Sequence, residues 1–376
     1  MSGVSSPPPS SSVPPPTAKR VFLHSSTSDV RLECDAYRSP TRHQSDDDDD
    51  DETSSRKNVK HVFVCLHAHG KLGASRQMLK PHAIMLARGG FIAYNVSFRG
   101  CDGNKETSSA SLIGDVDARD VLEIVRDVRD RERGEDVDAV KVHIIGYSFG
   151  SAVGASAVGL LHEKLLAVGR SNEEEMWSQY GIESLILVAF PLGSLNPFST
   201  TIMGVLSRFL LGKHAARLRK CFVRGSKSRS IARKTRLLFI HGQRDEFTKV
   251  KEVRKFCQKL AKGQPEEEDA DDEESNEDDE ESNEDDDDDD DNNNNNTGIA
   301  NRLSEFFFGV DDDENSRSND EEKPVESSYE TFGNANAASS SIALLEIKGN
   351  KSDHFAFCKM NRHIDLLVKA ASRFVL

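Results

Sequence analysis

A serine flanked by glycines stands near the middle of the chain. Residues Gly146–Gly150 read Gly-Tyr-Ser-Phe-Gly, a G-x-S-x-G pattern that carries little weight by itself. It gains weight because it follows the apolar, strand-like run Val140–Ile145 and opens a small-residue segment that predicts a helix over Ser148–Leu165. In such a strand–turn–helix setting, glycines let strand and helix approach while the serine hydroxyl stays exposed. We therefore interpret Ser148 as a candidate nucleophile, with a chemically inert helix start as the alternative.

A serine hydroxyl needs a neighbouring base, and that base needs an acid that fixes its tautomer. Asp245 follows the strand-like run Leu237–Ile240, and His354 follows the run Ile342–Ile347, which gives the chain order serine, acid, histidine. These two residues are therefore the candidate acid and base of a catalytic triad.

Neighbouring residues compete for these roles. Glu246 is the alternative acid, whereas Asp353 fits a solvated loop and His241 fits packing at a strand end. His354 lies 109 positions after Asp245, too far for one strand–helix–strand step, but an acidic stretch of about 76 residues accounts for most of that distance.

Acyl transfer also needs two backbone N–H donors for the negatively charged oxygen. One is expected from Phe149, the residue after the serine, and the other from the loop His67–Gly70, where we favour the amide of His69 over that of Ala68. A metal site at His67 and His69 is disfavoured because no carboxylate or cysteine follows at ligand spacing. The sequence contains no glycine-rich nucleotide motif, and the expected chemistry needs no cofactor.

The elements that would position these residues alternate along the chain. Further strands are predicted at Val30–Ala36, His61–Leu66, Phe91–Phe98 and Leu185–Phe190, and further helices at Gln77–Arg88, Asp115–Arg133, Phe247–Leu260 and Cys358–Phe374. Nearly continuous apolar strands alternating with helices predict an α/β fold, with a doubly wound, mostly parallel sheet covered on both faces. Ligands of such sheets bind beyond the carboxyl ends of the strands, where the candidate triad is expected.

The acidic residues are concentrated in three runs, Asp46–Glu52, Glu266–Asp291 and Asp311–Glu322. These runs hold 35 of the 64 acidic residues and one of the 49 basic residues. The whole chain therefore carries a net charge of −15, while the remainder is basic. Runs of this kind cannot bury apolar surface and are typical of disordered segments.

We expect one folded domain that carries a tail and several inserted segments. A disordered Ser/Pro-rich tail is predicted at 1–20, and a single domain at 21–376. Within that domain we expect an acidic loop at 44–58, a basic lid-like excursion at 192–235 and a disordered acidic insertion at 265–340.

The basic excursion contains no acidic residue, and eleven lysines and arginines lie between Ser207 and Arg236. Three interpretations stay open: a solvated basic face, a contact with an anionic lipid surface, and an intramolecular contact with the acidic insertion. The intramolecular contact would make turnover rise with salt. Nucleic-acid binding is disfavoured because aromatic residues are sparse in this segment.

Composition excludes several classes. No apolar run approaches the ~20 residues that cross a bilayer, and the N-terminus lacks the hydrophobic segment of a secretory signal. Six scattered cysteines without a C-x-x-C pair fit reduced thiols. We expect a cytoplasmic protein; an organellar transit peptide is the alternative, because serine is plentiful and the first acidic residue is Asp29.

These pieces resemble the α/β-hydrolase superfamily from about Val30 to Leu376. The likeness is greatest to small, lid-poor predicted serine hydrolases with a His-Pro-His-Pro motif, related to esterases and serine aminopeptidase-like hydrolases. The segments that carry it are Leu-His-Ala-His-Gly at 66–70, Ser-Phe-Arg-Gly at 97–100, Gly-Tyr-Ser-Phe-Gly at 146–150 and Asp-His-Phe at 353–355. The chain departs from that group at Ala68 and Gly70, where the motif has prolines.

The resemblance implies a triad of Ser148, Asp245 and His354. We interpret Arg99 as a structural residue that pairs with helix acids such as Asp117 or Asp120. We therefore expect a serine hydrolase that cleaves a carboxylic ester, thioester or amide of a small acyl substrate through an acyl-enzyme. A peptidase would share this triad. The alternative is a catalytically idle protein of the same fold that binds partners through its acidic and basic tracts.

Overall fold

A computed structural model of the chain describes residues 15–25, 31–40, 58–68, 75–104, 114–168, 171–192, 202–222, 234–245, 248–263, 325–332, 342–349, 357 and 361–376, with the backbone alone for 202–211. The strands are β1 (Thr17–His24), β2 (Arg31–Arg38), β3 (Val59–Leu66), β4 (Ile92–Val96), β5 (Ala139–Tyr147), β6 (Ile182–Val188), β7 (Arg236–Gly242), β8 (Ser327–Phe332) and β9 (Ile342–Ile347). The helices are α1 (Lys80–Arg88), α2 (Asp115–Glu132), α3 (Phe149–Val168), α4 (Glu173–Tyr180), α5 (Ile202–Phe222), α6 (Val250–Lys262) and α7 (Asn361–Val375).

The strands form one sheet in the order β1-β2-β4-β3-β5-β6-β7-β9-β8. The six central strands run parallel to one another; in sheet order they are β4, β3, β5, β6, β7 and β9. Strands β1, β2 and β8 join the edges through antiparallel pairing. The predicted doubly wound, mostly parallel sheet is therefore confirmed.

Each face of the sheet is covered by helices and has its own apolar core. Along β7, Leu238 and Ile240 pack with α1 and α7 on one face, while Leu237 and Phe239 pack with helices α2 to α6 on the other. Because both faces are buried, the central strands read as continuous apolar runs, which is why they could be recognised in the sequence.

The strand order places a topological switch point at the carboxyl edge of the sheet. Strands β3 and β5 are parallel neighbours, but β3 leads to α1 on one face and β5 leads to α3 on the other. The chain therefore turns away in opposite directions beyond two adjacent strand ends. Such a switch point is where doubly wound sheets bind their ligands.

Two edge strands lie partly or wholly inside segments that the sequence predicts to be disordered. The predicted tail ends at residue 20, but β1 begins at Thr17 and pairs with β2 along its whole length. The predicted acidic insertion spans 265–340, but β8 lies inside it and pairs with β9. Both strands lie at the sheet edges and stay largely exposed, so neither has the apolar run that reveals a central strand.

The second half of α5 is docked on the domain. His214 is buried and hydrogen-bonds through Nδ1 to the Ser156 hydroxyl of α3. At the start of α2, the Asp115 carboxylate accepts hydrogen bonds from Lys213, at 2.7 Å, and Arg217, at 2.5 Å. Some of the charge in the predicted lid-like excursion therefore stabilises helix packing within the domain.

One described helix, α3, is long and apolar enough to cross a membrane by length and composition, but most of it is buried inside the protein. It is the helix that follows β5, packed against α2, α5 and the sheet. Five cysteines, Cys34, Cys65, Cys101, Cys221 and Cys257, are free thiols and buried, while Cys358 lies outside the described residues.

Candidate active site

Ser148 occupies the turn between β5 and α3. Its φ is 51°, in the left-handed region that non-glycine residues seldom adopt. The backbone holds this conformation from both sides, because the Ser148 amide donates to the Val188 carbonyl at 2.9 Å and the Ser148 carbonyl accepts the Ser151 amide at 2.9 Å. The strand–turn–helix setting predicted around this serine is therefore present.

The two glycines of the pattern allow backbones to touch. A Cβ on Gly146 would lie 2.6 Å from Ser151 Cα, and a Cβ on Gly150 would overlap the carbonyl groups of Leu66 and His67. No side chain can be accommodated at either position without backbone movement. The first turn of α3 is thus pressed against the end of β5 and against the chain leaving β3.

Backbone strain is concentrated at this edge of the sheet. Among the described residues, three that are not glycine have a positive φ: Asp102 at 46°, Ser148 at 51° and Ala189 at 50°. They lie in the loops beyond β4, β5 and β6. Conformations of this kind cost about 1–3 kcal/mol each and cluster at functional sites. The strain therefore marks the carboxyl edge as the candidate site.

Asp245 lies in the loop directly after β7, where the sequence predicts the triad acid. It is buried, and its Oδ1 accepts a hydrogen bond from the Thr248 amide at 3.1 Å. His241 is also buried and donates from Nε2 to the Thr248 carbonyl at 2.6 Å, with that nitrogen 3.8 Å from Asp245 Oδ2. These contacts fix both the loop and the carboxylate orientation, and they give His241 a loop-shaping role.

The chain beyond β3 is held by a buried histidine. His67 accepts the Phe98 amide on Nε2, at 3.2 Å, and its Nδ1 lies 2.6 Å from the Ala68 carbonyl oxygen. The rings of His67 and Phe98 are in contact, with centroids 4.7 Å apart. The loop after β4 is thereby joined to the segment from which an oxyanion donor is predicted.

The loop after β4 has anchors of its own. Arg99 Nε and Nη2 bind the Asp120 carboxylate at 2.5 and 2.9 Å, so the structural ion pair expected for Arg99 is present, with Asp120 as the partner. The Asn104 side chain donates to the Ser97 carbonyl at 3.0 Å and accepts the Glu33 amide at 3.1 Å. This loop therefore forms a rigid wall beside Phe149, whose ring meets Phe98 edge-on.

Two predicted site residues, His69 and His354, lie outside the described residues, as does the alternative acid Glu246. The segment after His354 is fixed at Phe357, which is fully buried and accepts a hydrogen bond from His82 Nε2 at 2.9 Å. Burial lowers the pKa of His82 to about 4. A neutral histidine of α1 therefore holds the chain three residues beyond the predicted base.

The described cysteines are buried in the protein. Burial raises the pKa of Cys65 to about 12 and also raises the pKa values of Cys34, Cys221 and Cys257, so these thiols stay protonated and unreactive at neutral pH. Within the described part of the chain, no cluster of three histidine, cysteine or acidic side chains could hold a metal ion.

His67 and His82 are not among the site residues that the sequence predicts. The signal for His67 was its place directly after a strand, in the Leu-His-Ala-His segment. His82 has no such signal, because its partner Phe357 lies 275 positions further along the chain.

The sequence matches no protein-family model and no curated protein. The chain is similar to many solved structures, and three of them illustrate the likeness. An esterase from Pyrococcus furiosus shares 17% identity over 66% of this chain and 79% of its own, with a TM-score of 0.41. A serine hydrolase without a lid from Xanthomonas campestris shares 14% identity over 64% and 78%, with a TM-score of 0.36. A thermophilic esterase from Thermogutta terrifontis shares 15% identity over 67% and 79%, with a TM-score of 0.40.

Proposed function

We propose that this chain, whose described residues have the α/β-hydrolase fold, is a serine hydrolase that cleaves a carboxylic ester, thioester or amide. Ser148 Oγ attacks the carbonyl carbon, and His354 takes the hydroxyl proton and returns it to the leaving group. Asp245 holds His354 in the tautomer that accepts this proton. Water then hydrolyses the acyl-enzyme by the same route and releases the acid.

The developing negative charge on the carbonyl oxygen needs fixed donors. The amides of Phe149 and His69 are the proposed pair, one at the start of α3 and one in the loop after β3. Backbone donors held by a rigid frame stabilise the tetrahedral intermediate without reorganisation, so the packing of these two segments bears directly on rate.

One observation carries the proposal: the strained Ser148, with φ of 51°, at a strand–turn–helix junction whose flanking glycines admit no side chain. A packing turn alone has no need of a non-glycine residue in the left-handed region, and glycine would relieve the strain there. Retaining serine in that conformation is explained if its hydroxyl does chemistry.

The test is covalent labelling. A fluorophosphonate probe should label the wild-type protein at Ser148 and leave Ser148→Ala unlabelled. Ser178→Ala, which changes an exposed serine on α4, is the matched control and should label like the wild type. Labelling that persists in Ser148→Ala refutes the assignment. A folded wild type that stays unlabelled would instead favour the idle, partner-binding alternative.

The bond that is cleaved is decided by substrates. A panel of p-nitrophenyl esters of increasing acyl length, matched thioesters and aminoacyl amides separates esterase from peptidase activity by kcat/KM. We expect measurable turnover of a short-chain ester that disappears in Ser148→Ala.

A further inference from the structure

The hydrogen-bond partners of His67 fix its tautomer. A backbone amide only donates, so Nε2, which faces the Phe98 amide at 3.2 Å, must present a lone pair. The proton therefore resides on Nδ1 and is donated to the Ala68 carbonyl, 2.6 Å away. His67 is fully buried, so this arrangement is screened from water.

We propose that His67 is the positioning residue for the second oxyanion donor, an inference that rests on the proposed function. In a planar trans peptide, the carbonyl and the N–H of the next residue point in opposite directions. By holding the Ala68 carbonyl, the His67 ring therefore sets the direction of the following peptide N–H, which is the proposed donor of His69. His67 acts through this peptide and does not touch the reacting atoms.

The same ring ties this peptide to the other half of the oxyanion site. Phe98 contacts His67 on one side, and its ring lies 6.0 Å from that of Phe149, the residue of the first proposed donor. The close fit of Gly150 against the His67 carbonyl brings the start of α3 to the same place. The Ala68 carbonyl and Phe149 are thus anchored to one cluster of rings and backbone.

Two substitutions each retain one of the hydrogen bonds that His67 makes to Ala68 and Phe98. An asparagine amide nitrogen reaches the position of Nδ1 and can still donate to the Ala68 carbonyl. A glutamine amide oxygen reaches the position of Nε2 and can still accept the Phe98 amide. His67→Asn therefore keeps the hydrogen bond to the Ala68 carbonyl, which orients the peptide. His67→Gln keeps only the hydrogen bond from the Phe98 amide.

With Ser148-dependent hydrolysis of a p-nitrophenyl ester as the assay, His67→Gln should lower kcat about 100-fold with KM within about twofold, since loss of an oxyanion donor costs about 10²–10³ in kcat. His67→Asn should keep kcat within about fivefold of the wild type. Each variant loses one of these two buried hydrogen bonds, and both lose the ring, so thermal unfolding should shift by similar amounts in the two. Equal loss of kcat in both variants, or an unchanged kcat in His67→Gln, would overturn the proposal.

If the glutamine variant does not fold, a measurement on the wild-type protein tests the proposal. In protein labelled with ¹⁵N-histidine, the Nδ1–H resonance of His67 should shift when a boronic acid forms its tetrahedral adduct with Ser148; an unchanged resonance contradicts the proposal. The two inferences fail separately. An unlabelled Ser148 refutes the proposed function, whereas wild-type labelling and turnover in His67→Gln refute only the role of His67.

Discussion

Arg99 and Asp120 form a two-point ion pair that joins the loop after β4 to α2. The guanidinium Nε and Nη2 meet the two carboxylate oxygens at 2.5 and 2.9 Å, and both side chains are almost fully buried. Burial makes such a pair costly to break, because removing one partner leaves the other charged and unsolvated. The loop it holds carries Phe98, which contacts both His67 and Phe149.

Arg99→Met should therefore lower the free energy of unfolding by about 3–5 kcal/mol, measured by urea denaturation at neutral pH. The matched control is the exposed pair of Lys369 and Asp365 on α7, where Lys369→Met should cost about 0–1 kcal/mol. Equal losses in the two variants would mean that the buried pair has no special role.

The glycines beside Ser148 allow a second prediction. Gly150→Ala places a Cβ against the carbonyl groups of Leu66 and His67, so we expect a loss of about 3 kcal/mol or more in unfolding free energy, at or beyond the upper end of ordinary overpacking. Ester turnover should fall with it, since α3 must move. Gly134→Ala is the control: its nearest neighbour would be Val137 Cγ2 at 3.7 Å, an ordinary contact, so stability should change by less than about 0.5 kcal/mol.

The strands that could be predicted from the sequence are those that are buried on both faces of the sheet. The run Ile342–Ile347 is buried on both faces, and β9 has the bounds that the sequence predicts. Strand β1, Thr17–His24, is mostly exposed and is a strand because β2 pairs with it, so its own residues carry little signal. β8 lies between low-complexity segments, which conceal a short alternating stretch of exposed and half-buried residues.

The residues of the candidate site also differ in how far the sequence could predict them. Ser148 and Asp245 could be placed from local pattern, because each follows an apolar strand by a few residues. The partners of His67 and His82 could not, since both hydrogen bonds to distant backbone depend on how separate segments pack. The roles of His69 and His354 stay predictions.

Asp245 and Glu246 can be separated by amide substitution. Asp245 Oδ1 accepts the Thr248 amide, and an asparagine keeping that bond would turn its amide nitrogen toward the base, where an acceptor is needed. We expect Asp245→Asn to lower kcat about 10³–10⁴-fold with little change in KM. Glu246→Gln should stay within about threefold of the wild type. The reverse result would make Glu246 the acid.

His82 gives a prediction for acid stability. Its Nε2–H donates to the Phe357 carbonyl at 2.9 Å, and burial lowers its pKa to about 4, against about 6.5 in an unfolded chain. Between these values the unfolded state binds a proton that the folded state does not. The free energy of unfolding therefore falls as the pH drops from about 6.5 to about 4, by about 3 kcal/mol from this residue.

Urea denaturation of the wild type and of His82→Gln at pH 7.5, 6.5, 5.5 and 4.5 measures this effect. Glutamine can reproduce the hydrogen bond to Phe357 but does not titrate, so the variant should lose less stability than the wild type on acidification. His143, whose pKa burial also lowers, titrates in both proteins and cancels in the comparison. If the two proteins lose stability in parallel, His82 is not the group responsible. If they diverge, a histidine that stays neutral in the folded protein holds Phe357, three residues beyond the predicted base His354.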